Sequence, residues 1–186
     1  YVFTRLEFKG RNIVFILYLS TMMIPITVRL IPSYNLCRNL NMLDTYMGMI
    51  LPQVAWSIPF GTFLMRQFYM GIPKQLDEAA KIDGASHFQI FWKILLPNTK
   101  SSMATLGIYT FISAWNNLIW MLLSVRSESK WTVTLGISSI CGASVIKQPT
   151  WNLIMGVIVI GMIPVLILFF AFQKYFMQSV AATGIK

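Results

Sequence analysis

Acidic residues are scarce in this chain. Six aspartates and glutamates stand against fifteen lysines and arginines, histidine occurs once and cysteine twice in 186 residues. Charged residues make up 11% of the chain, where a soluble domain carries about 25%. That deficit excludes a water-solvated globule. The single histidine, His87, has no cysteine or second histidine at ligand spacing, and Cys37 and Cys141 match no metal spacing, so no metal site is expected. Asp77 and Glu78 are adjacent, so on a helix they point about 100° apart and cannot share one substrate proton. No G-x-S-x-G elbow and no H-E-x-x-H helix occurs. The expectation is a protein that is not an enzyme, with no catalytic residues and no cofactor. A G-x-x-x-x-G-K-[ST] loop is also absent, so ATP is not held by that device and any driving energy must come from elsewhere.

What the chain has in abundance is apolar residue: 56% of it is hydrophobic. The formal net charge of +9 does not point to nucleic acid, because the basic residues form no patch or arm. They punctuate uncharged runs, which are Asn12–Val28, Thr45–Met65, Ser101–Val125 and Gln148–Gln173. A helix of about 20 residues crosses the hydrocarbon of a bilayer. Four spans are therefore expected, at about 12–32, 45–66, 101–125 and 150–173, the first extended past a snorkelling Arg29. Arg5, Lys9, Arg11, Arg66, Lys74, Lys81, Lys93, Lys100, Lys174 and Lys186 then fall on one side, and Arg29, Arg38, Arg126, Lys130 and Lys147 on the other. The positive-inside rule puts the larger set, and with it both ends of this chain, in the cytoplasm. The connections around Ser33–Asp44 and Arg126–Lys147 face outward; in the second, Trp131, Thr132, Val133 and Thr134 are β-formers whose structure the sequence leaves open. Tyr1 is no initiator and no signal peptide precedes the first run, so the chain reads as the later part of a longer protein.

Pro25, Pro52, Pro59 and Pro164 lie inside the runs and permit kinks. Polar residues recur there too, most densely at Trp115, Asn116 and Asn117, and these are expected to line a cavity. The stretch 73–97, PKQLDEAAKIDGASHFQIFWKILLP, is the longest that does not resemble membrane. Pro73 suits a helix start and Gly84 the position past its end. Ser86 and Gln89 have capping-box spacing for a second helix, which Pro97 closes.

Glu78-Ala79-Ala80, Gly84 and Ile94-Leu95-Leu96-Pro97 fit E-A-A-x3-G-x9-I-x-L-P at every fixed position. That pattern resembles the signature of the membrane subunits of binding-protein-dependent ABC importers. Arg5-Leu6-Glu7-Phe8, Ile31-Pro32, Leu51-Pro52, Phe63-Leu64-Met65-Arg66, Asp83-Gly84-Ala85-Ser86 and Trp115-Asn116-Asn117 resemble the carbohydrate-type branch, near the maltose, glycerol-phosphate and multiple-sugar permeases. The family's first two helices are missing apart from the exit of the second, and Ser179 stands where glycine is common.

The resemblance implies an all-α polytopic helix bundle with the core of a type I ABC importer permease, as one transmembrane domain over 1–186. It implies that 73–97 is a cytoplasmic pair of coupling helices docking on a separate ATP-binding subunit dimer, through Glu78, Ala79, Ala80, Asp83, Gly84, Ile94, Leu96 and Pro97. Phe88, Phe91, Trp92 and Leu95 are expected to pack against the subunit's own helices. Further partners implied are a second, non-identical permease subunit and an extracytoplasmic solute-binding protein, in a bacterial inner membrane. The solute implied is a small polar one, a sugar, and Trp115, Asn116, Asn117 and Trp120 suit it, since indole faces stack on pyranoses and amides pair with hydroxyls. A permease for another solute class is the alternative. A secondary transporter is disfavoured because none of the acidic residues falls in an expected span, and a membrane scaffold would not need kinked, polar-lined helices.

Overall fold

The computed structural model describes the backbone of residues 1–146 and 151–184, with side chains over 1–142 and 151–173. Lys147, Ile185 and Lys186, together with the side chains of Lys174 and Ser179, lie outside the described residues. Helices connected by short turns make up the described residues, with no strand among them. Two helices, Tyr46–Met70 and Trp151–Gln173, are long and apolar enough to cross a membrane, or up to four spans if each of two bent pairs is one.

Two of the expected spans differ in outline. The first is broken: Arg11–Ser20 continues as a 3-10 turn over Thr21–Met23, and a second helix begins at Ile26 and runs to Asn39. Ser20 and Thr21 turn their hydroxyls back onto the carbonyls of Leu17 and Tyr18, both at 2.7 Å, which loosens a helix end. Pro25, with ψ 142°, then caps the next helix. Ser33–Asn39, expected in an outward connection, is helical. The third span is bent by 54° between Lys100–Trp115 and Leu118–Ser124, and Asn117 caps the second piece by accepting the Trp120 amide at 3.3 Å.

The chain divides into two compact units, one of Tyr1–Met23 and Ile58–Gly107 with Lys174–Lys186, the other of Ile24–Ser57 and Ile108–Gln173. The helices Tyr46–Met70 and Lys100–Trp115 contribute to both. In the second unit Leu30, Cys37, Met49, Trp120, Met121, Val125 and Leu135 form the core, with Tyr34, Trp56 and Leu118 packed on it. The β-formers at 131–134 make no strand. A 3-10 turn over Glu128–Lys130 leads to a helix Val133–Ile146, and the Thr132 hydroxyl accepts the Leu135 amide at its start.

Asp44 ties two connections of this unit together. It sits at φ +56°, a left-handed conformation that aspartate tolerates. Its Oδ1 accepts the amides of Arg126 at 3.1 Å and Ser127 at 3.0 Å, and its Oδ2 accepts the Ser127 hydroxyl. Lys130 Nζ stands 3.5 Å from Oδ2. The Ser127 hydroxyl, then the Ser127 and Arg126 amides, hold this carboxyl well below the usual carboxylate range.

Candidate coupling surface and polar cluster

In the first unit the stretch 73–97 folds as two helical pieces. The first is Gln75–Ile82, with Asp77 and Glu78 in its opening turn and Lys81 in its last, charges that suit the helix dipole at both ends. It starts two residues past Pro73, with Lys74 as cap. Gly84 takes φ +79° just beyond its end. A Cβ there meets nothing within 4 Å, so the backbone conformation, not space, calls for glycine.

Both halves of the capping box form: Gln89 N donates to Ser86 Oγ at 3.3 Å, and Ser86 N to Gln89 Oε1 at 2.8 Å. Helical structure then runs over 87–98, widened to π turns at Ile90–Leu95, a form that often marks functional segments. Pro97 does not close the helix as expected. It lies within the last turn, and the closure falls at Thr99, whose hydroxyl bonds the carbonyls of Leu95 and Leu96, both at 3.1 Å.

Burial sorts the signature residues. Glu78, Ala79, Asp83, Gly84 and Pro97 are exposed, Ile94 and Leu96 are half-buried, and Ala80 is buried. Ala80 therefore does not share a surface with Ala79. It packs in a cluster with Tyr69, Ile90 and Leu95, since residues one apart on a helix face different ways. Ile90 and Leu95 have no exposed surface at all, and full burial of such a side chain is worth about 1.5–3 kcal/mol against water. They anchor the second piece. The expected apolar face is divided: Leu95 is buried and Phe91 half-buried against Tyr1 at 5.8 Å, but Phe88 and Trp92 remain 72% and 52% exposed, beside each other at 6.1 Å.

One residue before Glu78, Asp77 is buried and pairs with Arg5 at 2.9 Å. Sequence reasoning missed this pair. Its only local trace is that Asp77 and Ala80 stand three apart on one helix face, the face that turns inward.

In the second unit the four residues assigned to a solute path differ in burial and in partners. Trp120 is fully buried in the core, donating its indole N–H to the Gly48 carbonyl at 3.1 Å and meeting Trp56 edge-on at 5.2 Å. Its donor is thus committed, and its side chain has no exposed surface. Asn117 Nδ2 donates to Gln53 Oε1 at 3.1 Å. Asn116 is exposed, and Trp115 is half-buried with its ring stacked on Phe111 at 5.5 Å. Arg29, expected to snorkel, lies with its guanidinium 5.7 Å from the centre of the Trp56 ring, a cation–π contact that needs no acidic partner.

Described residues that form helices and no strand, apolar helices of spanning length, and a capped polar stretch bearing an exposed Glu-Ala pair before a left-handed glycine define a polytopic membrane protein. Residues 2–182 match the family described as the binding-protein-dependent transport system inner membrane component, and the chain belongs to that family, the permease subunits of ABC importers. It is similar to the arabinooligosaccharides transport system permease protein AraQ of Bacillus subtilis (strain 168), 34% identical over 97% of this chain and 62% of the relative. It is also similar to the sn-glycerol-3-phosphate transport system permease protein UgpE of Yersinia enterocolitica, 38% identical over 96% of this chain and 63% of the relative. Among solved structures it resembles a chain of a bacterial ABC transporter involved in the import of the acidic polysaccharide alginate, with TM-score 0.79 and 27% identity over 94% of this chain and 65% of that one. The chain thus spans less than two thirds of the length of these relatives.

Proposed function

We propose that this chain forms part of a permease subunit that imports a sugar or related polyhydroxylated solute, driven by a separate ATPase that grips 73–97. The observation that carries the reading is the division of the signature: Glu78, Ala79, Asp83 and Gly84 are uncovered, while Ala80, Ile90 and Leu95 fasten the same element to its own unit. An element with one face anchored and the other bare is suited to pass a partner's motion to the membrane helices. Closure of an ATPase dimer would draw 73–97 inward and exchange inward for outward access.

The sidedness in this reading follows the charge count: 1–11 and 66–100 carry the larger set of lysines and arginines and face the cytoplasm, and the connections around Asp44 and Arg126 face outward. The further partners in this reading are a second, non-identical permease and an external solute-binding protein, as in the family. The relatives' solutes are polyhydroxylated, which favours a sugar over other solute classes. Asn116, with Trp115 beside it, is the residue of the polar cluster best placed for a solute contact, and Trp120 is withdrawn from that role.

The test is transport by the full-length protein reconstituted with its partners. Glu78→Lys is expected to leave the permease inserted and to abolish solute uptake at a given rate of ATP hydrolysis. Asn116→Ala is expected to weaken apparent solute affinity. Uptake at the normal rate in Glu78→Lys refutes the coupling role.

A further inference from the structure

The buried Arg5–Asp77 pair is not explained by docking. Its side chains are only 4% and 9% exposed, yet it is poorly satisfied. Arg5 Nε approaches Asp77 Oδ2 at 2.9 Å without hydrogen-bond alignment, and Asp77 Oδ1 has no hydrogen-bond partner among the described residues. A buried ion pair is seldom worth more than well-packed apolar residues of the same volume, so stability alone does not account for two charges here. An open hollow of about 590 Å³ flanks the pair, walled also by Glu7, Lys74 and Glu78, which leaves room for the pair's geometry to change.

The contacts of Arg5 run in one direction. Its Nη2 donates to the Ile72 carbonyl at 2.8 Å, at the entry to 73–97. On its other side Arg5 ends the short helix Val2–Arg5. There the Phe3 carbonyl accepts Arg66 Nε at 3.3 Å, and the Phe3 ring meets Phe15 at 5.2 Å. Arg66 lies 4.4 Å over the same Phe15 ring, and Phe15 is the buried residue of the helix Arg11–Ser20. A continuous set of contacts therefore links Asp77 to a helix that is not its neighbour in sequence. Asp77 is one residue from Glu78 on a two-turn helix, so a load on the exposed face reaches the pair directly.

We propose that Arg5 and Asp77 are positioning residues that carry the movement of the helix Gln75–Ile82 into the helix Arg11–Ser20, a second route beside the covalent links to the helices before and after 73–97. The inference rests on the coupling role proposed above. Its test uses the full-length permease in proteoliposomes with its ATPase and binding protein. Solute taken up per ATP hydrolysed is measured alongside the yield of assembled complex. Asp77→Asn, isosteric and uncharged, is expected to assemble and to hydrolyse ATP with uptake per ATP lowered about tenfold, within the usual range of coupling between sites. Arg5→Lys keeps the charge but loses the planar fork that reaches both Ile72 and Asp77, and a smaller loss is expected. The exchange of Arg5→Asp with Asp77→Arg is expected to recover part of the ratio. An unchanged ratio in the assembled fraction of Asp77→Asn, whatever the yield, overturns the proposal, as does failure of both Asp77→Asn and the exchange to assemble, which marks a purely structural pair. If Glu78→Lys uncouples while Asp77→Asn does not, only the second route fails. If the unaltered complex shows no ATP-driven uptake, the functional reading fails and this inference with it.

Discussion

Trp120 donates its indole N–H to the carbonyl of Gly48 at 3.1 Å, supplying the donor that Pro52 cannot. In a helix the carbonyl of residue 48 accepts from the amide of residue 52, and proline has none. A tryptophan 72 positions away in sequence fills that place, so a proline inside the helix Tyr46–Met70 is accommodated without an orphaned buried carbonyl.

Trp120→Phe keeps most of the ring and removes the donor. It is expected to destabilise the protein by about 1–3 kcal/mol, the cost of a buried group left unpaired. Pro52→Ala restores a backbone N–H at the right place, so the double substitution is expected to cost clearly less than Trp120→Phe alone. Thermal unfolding in detergent, followed by the midpoint shift, checks this. Equal midpoints for the double and the single variant contradict it.

Gly48 and Gly161 are both helical glycines, with different tolerances. A Cβ on Gly48 falls 2.1 Å from the backbone oxygen of Met42, and one on Gly161 falls 2.5 Å from Cδ1 of Ile137. A backbone atom cannot step aside, whereas the end of an isoleucine can. Gly48→Ala is expected to cost more than about 3 kcal/mol and Gly161→Ala about 1 kcal/mol or less, the two ends of overpacking costs. The yield of monodisperse protein after extraction measures the contrast.

Substitutions at Ala79 and Ala80 separate the proposed docking from folding. Ala79→Leu enlarges an exposed position and is expected to leave the midpoint of unfolding unchanged while weakening capture of the ATPase subunit. Ala80→Leu overfills the cluster of Tyr69, Ile90 and Leu95 and is expected to destabilise by about 1–3 kcal/mol. The two readouts, unfolding midpoint and ATPase retained on affinity-purified permease, should move independently.

The Asp44 clasp carries a pH signature. Its carboxyl is held below its ordinary value in the folded state. Such a group stabilises fully above its unfolded pKa, about 3.9 for aspartate, and the contribution is lost as pH falls through the lower, folded value. Asp44→Asn is therefore expected to lower the unfolding midpoint by a constant amount from pH 8 down to about 5. The gap to the unaltered protein should close only in more acidic buffer. A gap that varies between neutral and mildly acidic pH would point to a different titrating group.

The parts of this protein legible in its sequence are those set by local chemistry. The uncharged runs mark the apolar helices because a bilayer core admits little else. The left-handed turn at Gly84 and the capping box of Ser86 and Gln89 follow from groups within three residues of each other. The family signature is likewise a matter of spacing along one short stretch. What a single strand of letters does not hold is which side of each helix turns inward. Ala79 and Ala80 are the same residue, and only the packing of Tyr69, Ile90 and Leu95 makes one a surface and the other a core position. Trp120 suits a solute as well as a core until Gly48, Pro52 and Trp56 are brought beside it. Asp77 is one acid among several until Arg5 closes on it. Pairs so distant along the chain are chosen by the fit of whole helices against one another, and that selection exists only in three dimensions.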